Sequence, residues 1–187
     1  NVREIHKKKK YKIPDYDFFL AVGRLTHQKN FMFLCKAFKE LIVKNKNIRL
    51  LIAGEGENKN QLKKFIDQNN LTQNIVLLGH KNNIFPYFKN ARCFVLTSLW
   101  EDPGFVLIEA SFCRVPVLTS DALPGPTELI KNNVNGIVFK NNNLKSFFEQ
   151  FNNINNHSNL KSLKLNNLKL SRNFTIFNHY KGLSKLI

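Results

Sequence analysis

Six short, near-continuous apolar runs, at 18–22, 48–53, 74–78, 93–97, 115–119 and 136–139, punctuate the chain. Each is about the length of a strand, and uninterrupted apolarity is the pattern of strands buried on both faces. Between them the spacing changes. Phe31, Leu34, Phe38, Leu41 and Ile42 recur at helical intervals and predict an amphipathic helix to about Lys44. Leu62, Phe65 and Ile66 mark a second helix, 84–89 a short third, and the stretch from Phe105 to about Arg114 a fourth. The loop 122–128 leads into a further short helix, and Leu144, Phe147, Phe148 and Phe151 predict one more. Strands alternating with helices imply an α/β fold: a doubly wound, Rossmann-like parallel sheet of about six strands, with ligands outside the carboxyl ends of the strands.

Beyond Lys140 the pattern loosens. Leu160, Leu163, Leu165, Leu168 and Leu170 repeat among asparagines, which leaves a helix there weakly specified, while 174–187 reads as helical. The chain therefore divides into a basic linker (1–17), the Rossmann-like domain (18–151) and an Asn/Lys/Leu-rich, C-terminal helical segment (152–187).

Composition narrows the class. A chain of 187 residues, 43% hydrophobic, has the material for one domain with a sizeable core. No apolar run reaches the roughly 18–20 residues that span a bilayer. Position 1 is Asn, and no signal-peptide pattern follows it, so the expectation is a piece of a longer protein. Cys35, Cys93 and Cys113, an odd number without CxxC spacing, read as reduced core residues of a cytoplasmic protein. The net charge is +16, concentrated at the ends. The first 13 residues carry six cations against Glu4, and 151–187 carry six with no acid. No nucleic-acid motif accompanies them. They read either as solvated surface or as attraction to an anionic membrane, peripheral on its inner face.

The chemistry gathers at Ser98-Leu99-Trp100-Glu101-Asp102-Pro103-Gly104-Phe105, where an apolar run breaks into a turn and a helix begins. Such a turn leaves unpaired amides at the helix start, facing solvent or an anion. Glu101 opens the turn, and Glu109 follows after seven intervening residues, about one turn into the helix. A phosphate on the amides near Gly104 would leave each carboxylate beside hydroxyl-bearing groups, the outline of a nucleotide-sugar site.

Glu, seven residues and Glu in a strand–loop–helix resembles the signature of glycosyltransferase family 4, retaining enzymes of GT-B fold. Matching elements run from about Phe18 to Phe139, in the order of the family's carboxy-terminal, donor-binding domain. The resemblance implies that Glu109 accepts hydrogen bonds from the ribose hydroxyls and that Glu101 contacts the transferred sugar. It implies that Arg24 and Lys29, in the loop beginning at Gly23, hold the donor diphosphate and neutralise the leaving group. The alternatives are a Glu109 that merely favours a helix dipole, worth about 0.3–1 kcal/mol, an acid at the helix start, and two solvated cations. Gly79-His80-Lys81 resembles the loop bordering the nucleobase, with His80 and Lys81 either donor-binding or ordinary turn residues. Asp102-Pro103 stands where relatives commonly carry Gly-Phe or Ser-Phe after the first Glu, and Pro103 has no N–H, so phosphate binding would fall to the amides of Gly104, Phe105 and Val106.

Gly54-x-Gly56 is no dinucleotide fingerprint, since Lys59 holds the third glycine position. His27, His157 and His179 lack a second ligand at useful spacing, and the expected reaction uses no metal or cofactor. The expected function is transfer of a sugar from a nucleotide-diphosphate sugar to an acceptor sugar or lipid-linked glycan with retention. Glu101, Arg24 and Lys29 form the catalytic set. The family's amino-terminal GT-B domain supplies the acceptor site, so this chain alone is expected to be inactive. Two other classes stay open: a non-catalytic nucleotide-sugar module acting with a partner chain, and a basic membrane-surface or nucleic-acid adaptor.

Overall fold

The computed structural model describes residues 13–102, 104–155 and 160–174. Its strands are β1 (Phe19–Val22), β2 (Leu50–Ala53), β3 (Ile75–Gly79), β4 (Cys93–Leu96), β5 (Val117–Ser120) and β6 (Ile137–Phe139). They form one sheet in the order β3-β2-β1-β4-β5-β6, with every neighbouring pair parallel. The expected six-stranded, doubly wound sheet is thus present. From β1 the chain builds outward through β2 and β3, then returns to the other side of β1 as β4. The strand order reverses there, and ligands of such sheets bind in a crevice outside the carboxyl ends of the strands at that point.

Seven α-helices flank the sheet among the described residues: α1 (Phe31–Lys44), α2 (Lys59–Gln68), α3 (Phe85–Asn90), α4 (Phe105–Phe112), α5 (Gly125–Leu129), α6 (Leu144–Asn155) and α7 (Leu160–Ser171). Alternation along each strand divides the core in two. Phe19, Ala21, Leu50, Ile52, Cys93 and Val95 face α1, α2 and α6. Leu20, Leu51, Phe94 and Leu96 face α3, α4 and α5. Successive side chains point to opposite faces, and both faces are covered, which is why the runs are apolar without interruption. Phe147 of α6 is fully buried among Phe33, Phe139 and Phe151, with ring centroids 5.2–5.9 Å away. Each such ring contributes about 1.5–3 kcal/mol by leaving water.

Boundaries moved where a turn claimed the residues. α4 ends at Phe112 rather than Arg114, because Arg114 adopts a left-handed conformation (φ 58°) and Val115 N donates to Ala110 O at 3.3 Å. That closure draws Val115 into the helix terminus, so β5 starts at Val117. The weakly specified stretch after 152 contains α7, packed on α4. The division expected at 151 falls inside α6. Of the helix expected over 174–187, only Phe174 is described, in a 3₁₀ turn with Arg172 and Asn173. The rest, with residues 1–12, His157 and Pro103, lies outside the described residues.

Candidate functional site

Three strand-end loops are tied together at one corner of the crevice. Gly23 N donates to Ala53 O at 3.0 Å, Gly54 N to Gly79 O at 3.0 Å, and Leu25 N to Glu55 O at 2.8 Å. The approach is so close that a Cβ on Gly54 would stand 1.8 Å from Gly23 O. Glycine there is a packing requirement. The loops enclose a cavity of about 300 Å³ lined by Gly23, Arg24, Gly54, Glu55, His80 and Lys81. Two of the expected donor-binding loops therefore share one cavity. Arg24 and His80 are exposed and Lys81 is partly buried. Glu55, on the same wall, pairs with Lys59 at 2.9 Å.

Lys29 and Glu101 meet across the point where the strand order reverses. The Lys29 ammonium donates to Glu101 Oε1, and both side chains are largely buried. Ser98 Oγ donates to the same carboxylate oxygen at 2.6 Å. The backbone of the two loops is stitched together as well. Thr97 Oγ1 donates to Lys29 O at 3.0 Å, Leu99 N to Gln28 O at 2.8 Å, and Gln28 Nε2 to Trp100 O at 2.9 Å. Glu101 itself is held from the other side by Gly125 N, which donates to Glu101 O at 3.0 Å. A buried ion pair offsets its own desolvation only with good geometry and further hydrogen bonds, and losing one partner typically costs about 3–5 kcal/mol. The carboxylate is thus rigidly placed, with its charge compensated.

Gly104 caps α4 in a left-handed conformation (φ 80°), and a Cβ there would lie 3.9 Å from that of Glu101. The first-turn amides of Phe105 and Val106 consequently begin beside Glu101, with no acceptor inside the helix. Glu109 lies in the second turn, half-buried, and desolvation pushes its carboxyl above the usual carboxylate range. Phe105, Leu123 and Trp100 around this loop are 69%, 69% and 50% exposed.

Cys35 and Cys93 are buried and their thiols are driven upward by desolvation, Cys35 to about 12, as suits inert core residues. Cys113 departs from the expected core position. It caps the end of α4 and is only partly buried. Among the described residues no three His, Cys, Asp or Glu side chains group as a metal site, and no helix is long and apolar enough to cross a membrane.

Sequence reasoning missed Thr97, Ser98 and Ser120, all buried at the carboxyl ends of β4 and β5. The signal was present in Thr97-Ser98 and Thr119-Ser120, hydroxyl pairs that close two otherwise apolar runs. It also passed over Glu55, visible only as the acid between two loop glycines.

The family profile described as glycosyl transferases group 1 matches residues 2–167. An uncharacterized glycosyltransferase of Methanocaldococcus jannaschii is 42% identical over 112 residues, covering 60% of this chain and 28% of that protein. The Escherichia coli UDP-Gal:alpha-D-GlcNAc-diphosphoundecaprenol alpha-1,3-galactosyltransferase is 35% identical, covering 69% of this chain and 34% of that one. The pneumococcal O-GlcNAc transferase, solved with UDP and GlcNAc, shares the fold with a TM-score of 0.81 at 17% identity. That match covers 92% of this chain and 35% of the neighbour. The chain thus spans about a third of the length of these relatives.

Proposed function

Since the chain belongs to the group 1 glycosyl transferases, we propose that it is the donor-binding half of a retaining glycosyltransferase that uses a UDP-sugar. The observation that carries this reading is the meeting of Lys29 and Glu101 at the strand-order reversal, beside a cavity that Arg24 lines. UDP accompanies the pneumococcal neighbour, and UDP-Gal is the donor of the E. coli relative. The cavity between Gly23, Gly54 and the His80-Lys81 loop would take the nucleoside, and Glu109 the two ribose hydroxyls, since one carboxylate can accept both protons.

In this mechanism Arg24 donates its planar fork to the diphosphate, and Lys29 turns part of its three-donor ammonium toward it. The amides of Gly104, Phe105 and Val106 hold phosphate oxygens at the start of α4. Glu101 accepts from hydroxyls of the sugar and fixes its orientation. The bond from the anomeric carbon to the β-phosphate oxygen breaks, its electron pair leaving with UDP as oxocarbenium character develops. The acceptor oxygen then bonds that carbon on the same face and gives its proton to the departing β-phosphate oxygen. Arg24 and Lys29 supply the charge stabilisation that grows in the transition state, and no metal or cofactor is assigned a part. The acceptor site belongs to an amino-terminal domain. With a lipid-linked glycan as acceptor, like the diphosphoundecaprenol-linked one of the E. coli relative, the reaction would run at the cytoplasmic membrane surface.

Calorimetric titration of the chain with UDP, GDP and ADP tests the reading, alongside Arg24→Ala. Arg24 is exposed, so its removal leaves folding intact. Binding of UDP, weakened about 10-fold or more in the variant as one charge-assisted bond is lost, is expected. Binding of none of the three, or equal binding by the variant, would refute the donor site.

A further inference from the structure

The acid assigned to the sugar has a second, inner layer of support that Lys29 does not supply. We propose that Ser98 and Ser120 are positioning residues, a buried hydroxyl pair that keeps the Glu101 carboxylate in place when Lys29 turns to the donor diphosphate. The inference rests on the reading of Glu101 given above.

Most buried serine and threonine hydroxyls in this fold bond to a backbone carbonyl, as Thr119 does to Ser120 O and Ser171 to Leu168 O. Ser98 does not. With 0% exposure, it gives its one proton to Glu101 Oε1 at 2.6 Å. Ser120, also 0% exposed, donates in turn to Ser98 O at 2.7 Å and so fixes the residue that carries the donor. Thr97 anchors the other partner by donating to Lys29 O. The ends of β4 and β5 therefore hold both members of the ion pair from beneath.

The two donors to Glu101 differ in what they can do next. Lys29 has a flexible stem and three N–H groups, so it can redirect toward phosphate. Glu101 is 5% exposed and has little water to replace the cation. Ser98 is locked in the sheet edge and cannot follow Lys29. Its charge-assisted bond therefore persists through the exchange and keeps the carboxylate aimed.

The test uses the full-length protein that contains this chain, with Ser98→Ala, Ser120→Ala, Glu101→Gln and the Ser98→Ala/Glu101→Gln double variant. UDP affinity is measured by calorimetry. Turnover is read as hydrolysis of UDP-glucose, UDP-galactose and UDP-N-acetylglucosamine, with water as acceptor. A misaimed carboxylate is expected to lower kcat about 10–100-fold in Ser98→Ala, and less in Ser120→Ala, with the Kd for UDP within about 3-fold of wild type. In the Glu101→Gln background, removing the Ser98 hydroxyl should add almost nothing, because the two act as one unit. Unchanged kcat in Ser98→Ala, or equal losses in both backgrounds, would overturn the assignment while leaving Glu101 in its role. Wild-type turnover in Glu101→Gln, or no turnover of any of the three sugars by wild type, would remove the Glu101 reading itself. Should Ser98→Ala fail to fold, seen as loss of UDP binding, Ser120→Ala decides, since it keeps the Ser98 hydroxyl: a lowered kcat with UDP binding intact supports the pair, and an unchanged kcat sinks it.

Discussion

Glu109 links burial to ionisation and, in the proposed ribose role, to the ligand. Partial burial in α4 raises its pKa by desolvation, so the folded chain holds its proton to higher pH than the unfolded chain. Folded protein then binds more protons than unfolded, and stability falls as pH rises from the unfolded pKa through the raised folded one. The proposed ribose binding has the opposite sign, because only the carboxylate accepts from two hydroxyls. UDP affinity is therefore expected to strengthen as pH rises through the Glu109 pKa, above the usual carboxylate range. Glu109→Gln should flatten that step while gaining relative stability at neutral pH. Calorimetry across pH 4–8 and denaturant melts at the two extremes measure both; a wild-type affinity profile that Glu109→Gln reproduces would dissociate this residue from the ribose. Glu109 and Glu101 were both legible in the sequence as a spaced pair, but their environments were not. One is half-buried and the other is nearly inaccessible, with a cation and a hydroxyl on one oxygen.

At the scale of elements, α7 is informative because its leucines misdirect. Its buried face is Leu163, Asn167 and Ser171, four residues apart, while Leu165 is 45% exposed. Asn167 is fully buried against α4. Its Oδ1 lies 2.6 Å from Ser111 Oγ, and its Nδ2 donates to Val115 O at 3.3 Å. A leucine repeat looks like a packing stripe, and nothing local says that an asparagine will be the residue that docks. Asn167→Ala is expected to cost about 1–3 kcal/mol, since it removes the Nδ2 donor to the Val115 carbonyl, while Ser111 keeps its bond to Leu107 O. Leu165→Ala should stay within about 0.5 kcal/mol. Urea midpoints compare the two; a larger loss at Leu165 would reverse the assignment of faces.

For the whole molecule, the site lies on an open edge. The cavity, the Lys29–Glu101 pair and the start of α4 all sit at the carboxyl ends of the strands, and Trp100, Phe105 and Leu123 stand exposed around them. An oxocarbenium-like transition state needs its acceptor aligned and bulk water excluded, which one open face does not achieve. The 187-residue chain is therefore expected to bind UDP yet transfer sugar at less than about 1% of the rate of the full-length protein, as loss of alignment alone costs about 100-fold or more. Comparable transfer by the isolated chain would contradict this. The net charge of +16 adds a second expectation. Sedimentation with vesicles containing anionic lipid should fall steeply from 0.05 to 0.5 M salt, as the Debye length shrinks from roughly 14 to 4 Å.

The sequence by itself determined the fold class and the order of the elements. Periodicity is a local property, and a strand covered on both faces must be apolar at every position. It also placed Arg24, Lys29, Glu101 and Glu109 in or beside strand-end loops, because turn residues mark where strands stop. Only the tertiary structure decided which of them meet. The contact between Lys29 and Glu101 spans 72 positions and exists because β4 returns to the side of β1. The Ser98–Ser120 support arises likewise, from the lateral pairing of β4 with β5. Those contacts depend on strand order across the sheet, which no spacing along the chain encodes.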